Sequence, residues 1–244
     1  MDKKEWFESW FDTTYYHSLY KNRNDEEAKL FINKLVRLLK LKPKTIALDL
    51  ACGKGRHSIT LNELGMNVLG VDLSLNSIDY AKKHENEFLK FEVHDMRQEI
   101  KNVKFDVVFN LFTSFGYFDD MSDNKKVLSS ISQMLVEKGT LILDFMNSVK
   151  IIENLVAIEK KIEDEIQFNI KREFDGNHIF KHIQFEANEQ SFEFTERVQA
   201  LKIQDFQSLL NDADFQIIHT FGDFNLNPFD EKSSDRLILI AIKK

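Results

Sequence analysis

The chain has 244 residues, 43% of them hydrophobic and 30% charged, with a formal net charge of -7. That length holds one large domain or two small ones, and the composition is that of a globular protein with a sizeable core. The acidic balance argues against a broad nucleic-acid footprint, the single cysteine excludes an internal disulfide and fits a reducing, cytoplasmic setting, and no run of 18 apolar residues marks a membrane span.

The opening MDKKEWFESWFDTTYY has no apolar core of signal-peptide length. This aromatic stretch predicts one or two short helices, an N-terminal helical arm over residues 1–24. Asn24 is a candidate N-cap for a longer helix, with acids in its first turn. In DEEAKLFINKLVRLLKL, residues Leu30, Phe31, Leu35, Leu38 and Leu39 fall near helical spacing. Pro43 closes that segment. TIALDL (45–50) then reads as a buried strand, and a helix follows the glycines after it.

NVLGVDL (67–73), FLKFEVHD (88–95), FDVVFNLF (105–112) and GTLILDFMN (139–147) are the next strands. SLNSIDYAKKHENE is a helix capped by Ser74, and SDNKKVLSSISQMLVEK (122–138) is a helix stopped at Gly139. Strands alternating with helices predict an α/β, doubly wound parallel sheet, with its core over residues 25–150. The ligand crevice of such a sheet lies at the carboxyl ends of its strands. From about residue 160 apolar and polar residues alternate instead. Ile166, Phe168 and Ile170 fall on one face, Gln167, Asn169 and Lys171 on the other, and DGN (175–177) makes a hairpin turn. Phe192 and Phe194 continue the pattern. An inserted antiparallel β-sheet is expected over residues 158–202. QDFQSLLNDADF is then a helix, and FQIIHTF and DRLILIAIKK are two closing strands, within residues 203–244.

The functional signal is ALDLACGKGRHS (47–58). A buried strand delivers the chain into glycines that permit positive φ and close backbone approach, and the N–H groups of the next helix point into the same space. A lone G-x-G is weak, but it has support here. Asp72 ends the second strand about 20 residues past the loop, where an acid meets a ribose diol. Asp95, ending the third strand, suits an exocyclic amine, and Met96 can cover an adenine face. Three acids at three successive strand ends suggest an adenosine-containing ligand. Gly53-x-Gly55-x-x-Ser58 lacks the third glycine of a dinucleotide fingerprint, and no P-loop motif occurs.

The sequence instead resembles class I S-adenosylmethionine-dependent methyltransferases of the small-molecule type. LDLACGKGRHS looks like their motif I, GVDLS their motif II, VHDM their adenine-binding acid and FDVVFNLFTSFGYF their motif IV. The resemblance covers roughly residues 28–150. It implies a Rossmann-like seven-stranded sheet with a terminal antiparallel strand, within a single methyltransferase domain over the whole chain. It also implies S-adenosyl-L-methionine as cofactor and S-adenosyl-L-homocysteine as product. In the loop, Ala51, Cys52, Gly53 and Gly55 would meet the methionine part, with Asp49 near its amino group. Asp72 would hold the ribose hydroxyls, Leu73 and Met96 would flank the adenine, and Asp95 would meet its N6. Asn110 and Leu111 would approach the methionine moiety. The arm would close over the cofactor, making Tyr15, Tyr16, Tyr20 and Arg23 candidates.

Methyl transfer is an in-line displacement that depends mainly on positioning. Catalytic candidates are His57, on the first turn after the glycines, and Tyr117, in the loop after the fourth core strand. Tyr16, His17 and Tyr20 could also act as bases, and Arg56 could pair with an acidic substrate. His178, His182 and His219 have no metal-ligand spacing, so no metal is expected. The fourth-strand loop lacks the prolines of amino-directed nucleic-acid enzymes and the cysteine of cytosine-C5 enzymes. The expected acceptor is therefore the N or O of a small molecule. An RNA methyltransferase, a cofactor-binding module without catalysis and a nicotinamide-dependent oxidoreductase are the alternatives. The inserted sheet could serve as a lid or as a homodimer interface.

Overall fold

The computed structural model describes residues 6–20 and 25–244. Two short helices, α1 (Trp6–Trp10) and α2 (Thr14–Leu19), form the arm. Helix α3 (Asp25–Leu39) buries Ala28, Phe31, Ile32 and Leu35, an i, i+3, i+4, i+7 stripe. Leu30, expected on that stripe, is off its spacing and exposed, while Leu38 keeps the spacing, three residues past Leu35, and is exposed at the helix end. Asn24 and Arg23 lie outside the described residues.

The core alternates as expected: β1 (Ile46–Leu50), α4 (Arg56–Glu63), β2 (Asn67–Asp72), α5 (Leu75–Ala81), β3 (Leu89–Val93), β4 (Phe105–Asn110), α6 (Met121–Met134), β5 (Leu135–Met146) and α7 (Ser148–Glu153). After the insert come α8 (Ile203–Asp212), β10 (Phe215–Phe221) and β11 (Arg236–Lys243). These strands make one seven-stranded sheet in the order β10-β11-β5-β4-β1-β2-β3. Neighbours from β5 to β3 pair in parallel, while β11 runs antiparallel to both β5 and β10. The strand order therefore reverses between β1 and β4, the position where α/β sheets hold ligands. Each face has its own apolar cluster. Leu48 and Leu50 face α6 and α8; Ala47, Leu61 and Phe109 belong to the cluster of α3 and α4.

Local chemistry explains the ends of these elements. Ser74 caps α5 by accepting the Ser77 N–H. The helix expected to run to Lys138 stops at Met134. Leu135 is already extended and pairs with Phe105, and Lys138 at φ 62° bends the strand before Gly139.

The insert is a four-stranded antiparallel sheet of β6 (Ile158–Glu163), β7 (Ile166–Phe174), β8 (His178–Ala187) and β9 (Gln190–Gln199). The alternation predicts its faces: Phe168 and Ile170 are buried, while Gln167, Asn169 and Lys171 are exposed. Its apolar face is covered by the chain's own arm. Trp10 and Leu19 pack there with Phe168, Ile170, Ile183 and Phe185, and Tyr15 stands between Phe185 and Phe192. Any partner of this sheet is thus left its outer face and its edge strands. Among the described residues, no helix is long and apolar enough to cross a membrane.

Candidate active site

A cavity of about 650 Å³ opens at the carboxyl ends of β1, β2 and β4. Its floor is the glycine loop. Ala51, Gly53 and Gly55 all have positive φ (62°, 56° and 84°), which turns the chain sharply into α4. A Cβ on Gly55 would stand 2.7 Å from the Phe91 ring, so the helix start and β3 approach too closely for any side chain. A Cβ on Gly53 would meet nothing within 4 Å. Gly53 borders the cavity, so that open space is where a ligand can lie against backbone.

Asp72 holds this loop in place. Its Oδ2 accepts the Gly53 N–H at 2.8 Å and its Oδ1 accepts the Ser74 N–H at 2.9 Å. Each carboxylate oxygen keeps a further lone pair, enough for two adjacent hydroxyls. Burial pushes its carboxyl above the usual range, against the opposing effect of those N–H groups. Cys52 is buried with its N–H bonded to Val71, and burial raises its thiol well above the ordinary value, which disfavours the thiolate.

Leu73, Asp95 and Met96 form one pole of the cavity. Asp95 lies two residues past β3, and its carboxylate is gripped by the Arg97 guanidinium at 2.7–3.0 Å. Burial alone would raise its pKa; the Arg97 side chain and N–H outweigh it and hold the carboxyl low. Arg97 also reaches Asp123 at 3.1 Å and covers the Phe118 ring.

Leu111, Phe112, Ser114 and Tyr117 line the wall after β4. Phe112 and Thr113 are consecutive left-handed residues (φ 62° and 58°), costly for side chains of this size. A fully buried carboxylate on β5 secures them. Asp144 accepts the Phe112 N–H at 2.8 Å and the Arg236 Nε–H at 2.8 Å, and Arg236 Nη2 donates to Thr113 Oγ1 at 2.9 Å. Phe112 thereby stacks on Phe224, with the Arg56 guanidinium 4.0 Å from its ring centroid.

His57 is buried on the cavity wall, and its Nε2 has no hydrogen-bond partner among the described residues. Burial, then the Arg56 charge, lower its pKa to about 3, so it is a neutral imidazole. From the arm, Phe7, Phe11, Tyr16, His17 and Tyr20 close the cavity from above. His17 is likewise lowered, to about 4, by burial and the Lys54 ammonium.

Most expected residues therefore meet at one place: Tyr16, Tyr20, Ala51, Cys52, Gly53, His57, Asp72, Leu73, Asp95, Met96, Leu111 and Tyr117. Four do not reach the cavity wall. Tyr15 packs between Phe185 and Phe192 on the inserted sheet. Gly55 caps α4 beneath it. Asp49 is buried, its Oδ2 accepting from Ser58 Oγ at 2.5 Å, and burial raises its pKa to about 6. Asn110 is buried and spends its amide N–H on the Leu50 carbonyl at 3.0 Å. Arg97 and Phe112 line the cavity without having been expected there. Arg97 stands two residues beyond a candidate acid, which was the available signal. Phe112 read as the last residue of a strand.

The family described as a methyltransferase domain matches residues 41–214, and the chain belongs to that family. Its fold is that of class I S-adenosylmethionine-dependent methyltransferases, an enzyme class. A similar relative is the glycine/sarcosine N-methyltransferase of Aphanothece halophytica, 28% identical over 97% of this chain and 87% of that protein. Among solved structures, an S-adenosylmethionine-dependent methyltransferase from Clostridium acetobutylicum superimposes with a TM-score of 0.81 at 22% identity, covering 93% of this chain and 96% of that one. CalS10, an amino pentose methyltransferase from Micromonospora echinaspora, gives 0.74 at 16% identity, covering 95% and 98%.

Proposed function

We propose that this protein transfers the methyl group of S-adenosylmethionine to the nitrogen of a small amine. The observation that carries this reading is the open cradle at Gly53, closed on one side by Asp72 and on another by Leu73 and Met96. Asp72 receives the ribose hydroxyls, the loop backbone meets the methionine part, and the adenine lies between Leu73 and Met96. Asp95, gripped by Arg97, offers its remaining lone pairs to the adenine amine. S-adenosylmethionine supplies an electrophilic methyl on a cationic sulfur. The chain supplies position. An amine held near Leu111, Phe112 and Tyr117 must come in line at about 3–3.5 Å, and such positioning is worth roughly 7–11 kcal/mol. Neutral His57 accepts an N–H hydrogen bond from that amine and orients its lone pair. The aromatic arm keeps water out.

The choice of nitrogen is supported by relatives whose names specify N-methylation of glycine and sarcosine. Release of S-adenosylhomocysteine should be measured with glycine, sarcosine, amino sugars and hydroxyl-only analogues of each. Amine-dependent release is expected. Release with hydroxyl compounds alone overturns the choice of nitrogen, and binding of NADH without binding of the sulfonium donor overturns the reading.

A further inference from the structure

The face of the inserted sheet that meets the arm is apolar at its centre and charged along β6, where Glu159, Lys161 and Glu163 share that side and Arg172 of β7 pairs with Glu159. Phe168, Ile170, Ile183 and Phe185 are buried at that centre, with Phe194 packed beside them. By strand alternation Lys181 and Glu196 stand on this same face, directly opposite each other in the β8–β9 register. Their side chains are only 15% and 13% exposed. Charges on a covered apolar face lose hydration, and well-packed hydrophobic replacements are often neutral or stabilising. Stability alone therefore gives no account of this pair.

Its partners belong to the arm. Trp10 Nε1 donates to Glu196 at 2.7 Å, the Tyr20 hydroxyl donates to the same carboxylate at 2.6 Å, and Lys181 Nζ donates to the Tyr20 oxygen at 2.6 Å. The middle of the arm is tied to the core instead. Asp12 accepts from Ser74 Oγ at 2.7 Å and from Asn76 Nδ2 at 2.7 Å. Ser74 is the residue whose N–H also holds Asp72. Between these anchors the rings of Tyr117, Phe11, Tyr16 and Tyr20 follow one another at 5.4, 4.8 and 4.9 Å, all bordering the cavity.

We propose that Glu196 is a positioning residue for cofactor binding: from the inserted sheet its carboxylate holds Trp10 and Tyr20, so that the arm stays closed over the nucleoside on Asp72. This rests on the S-adenosylmethionine reading above. The sheet is then the mount of a lid, and its charged pair is retained for the geometry it imposes on the arm.

The test is calorimetric titration with S-adenosylmethionine, paired with thermal melts of the unliganded proteins. Glu196→Ala should weaken binding about tenfold, the scale of a lost hydrogen-bonded charge. The double variant Lys181→Met with Glu196→Leu leaves no lone buried charge, so it should melt no lower than Glu196→Ala and yet bind about tenfold more weakly than the parent. Trp10→Phe should weaken the parent but add little in the Glu196→Ala background. In steady state, KM for the cofactor should rise in each while kcat at saturation stays within about twofold. Parental affinity in the double variant, or affinity loss that merely tracks melting temperature across the set, overturns the proposal. Failure of the parent itself to bind is a different result and removes the functional reading beneath it.

Discussion

Gly53 and Gly55 are two residues apart and are required for different reasons. Both have positive φ, so an alanine at either costs about 1 kcal/mol in backbone energy. At Gly55 the added methyl also meets Phe91 at 2.7 Å; at Gly53 it points into open cavity. Gly55→Ala should therefore unfold at clearly lower denaturant than Gly53→Ala. Gly53→Ala should stay close to the parent in stability but lose cofactor affinity. Equal melting losses with unchanged affinity at Gly53 would show that the cradle is not where the ligand lies. The same local chemistry made this part of the site legible from sequence. Glycine is the residue that takes positive φ at least cost, so a pair of glycines after a buried strand marks a sharp turn, and Asp72 sits at a strand end that the fold rule singles out. Asn110 also sits at a strand end, but its amide is spent on the Leu50 carbonyl across the sheet, 60 positions away.

Among the elements, the segment leaving β4 carries the acceptor side of the site. Phe112 and Thr113 hold a left-handed conformation only because Asp144 and Arg236 bind their N–H and hydroxyl groups. Arg236→Lys keeps a positive charge beside Asp144 but loses the fork that also reaches Thr113. We expect kcat at saturating cofactor to fall about tenfold or more while cofactor affinity, set by β1 and β2, changes little. A parallel loss of cofactor affinity contradicts this division of labour. The period of the hydrophobic pattern revealed which elements exist and which face of β7 is buried. It could not reveal where α6 ends, since Leu135 continues the helical spacing while pairing with Phe105 as strand. Nor could it show that the arm lies on the insert, because Trp10 and Glu196 are joined only in the folded chain.

At the scale of the whole molecule, the ionisable groups around the cavity tie stability to pH. His57 and His17 have folded values of about 3 and about 4, below the ordinary 6.5. The folded state then binds fewer protons than the unfolded state in that window, so their contribution is full above pH 6.5 and lost as pH falls through it. Asp49 acts oppositely: its folded value of about 6 exceeds the ordinary 3.8, and stability is lost as pH rises through that interval. Asp72, which burial also raises, acts in the same direction as Asp49, whereas Asp95, held low by Arg97, acts with the histidines. The denaturation midpoint should drop between about pH 7 and about pH 4.5, and His57→Gln should flatten that drop. A midpoint that rises on acidification would mean the histidines are solvated.

The central claim is that one cavity, floored by the glycine loop and closed by Asp72, binds a nucleoside joined to an amino acid. Titration of the parent and of Asp72→Ala with S-adenosylmethionine tests it most directly, with melts to confirm that both are folded. Saturable binding by the parent, weakened at least about tenfold in the variant, is the predicted result. An identical binding curve for a folded Asp72→Ala protein would contradict it.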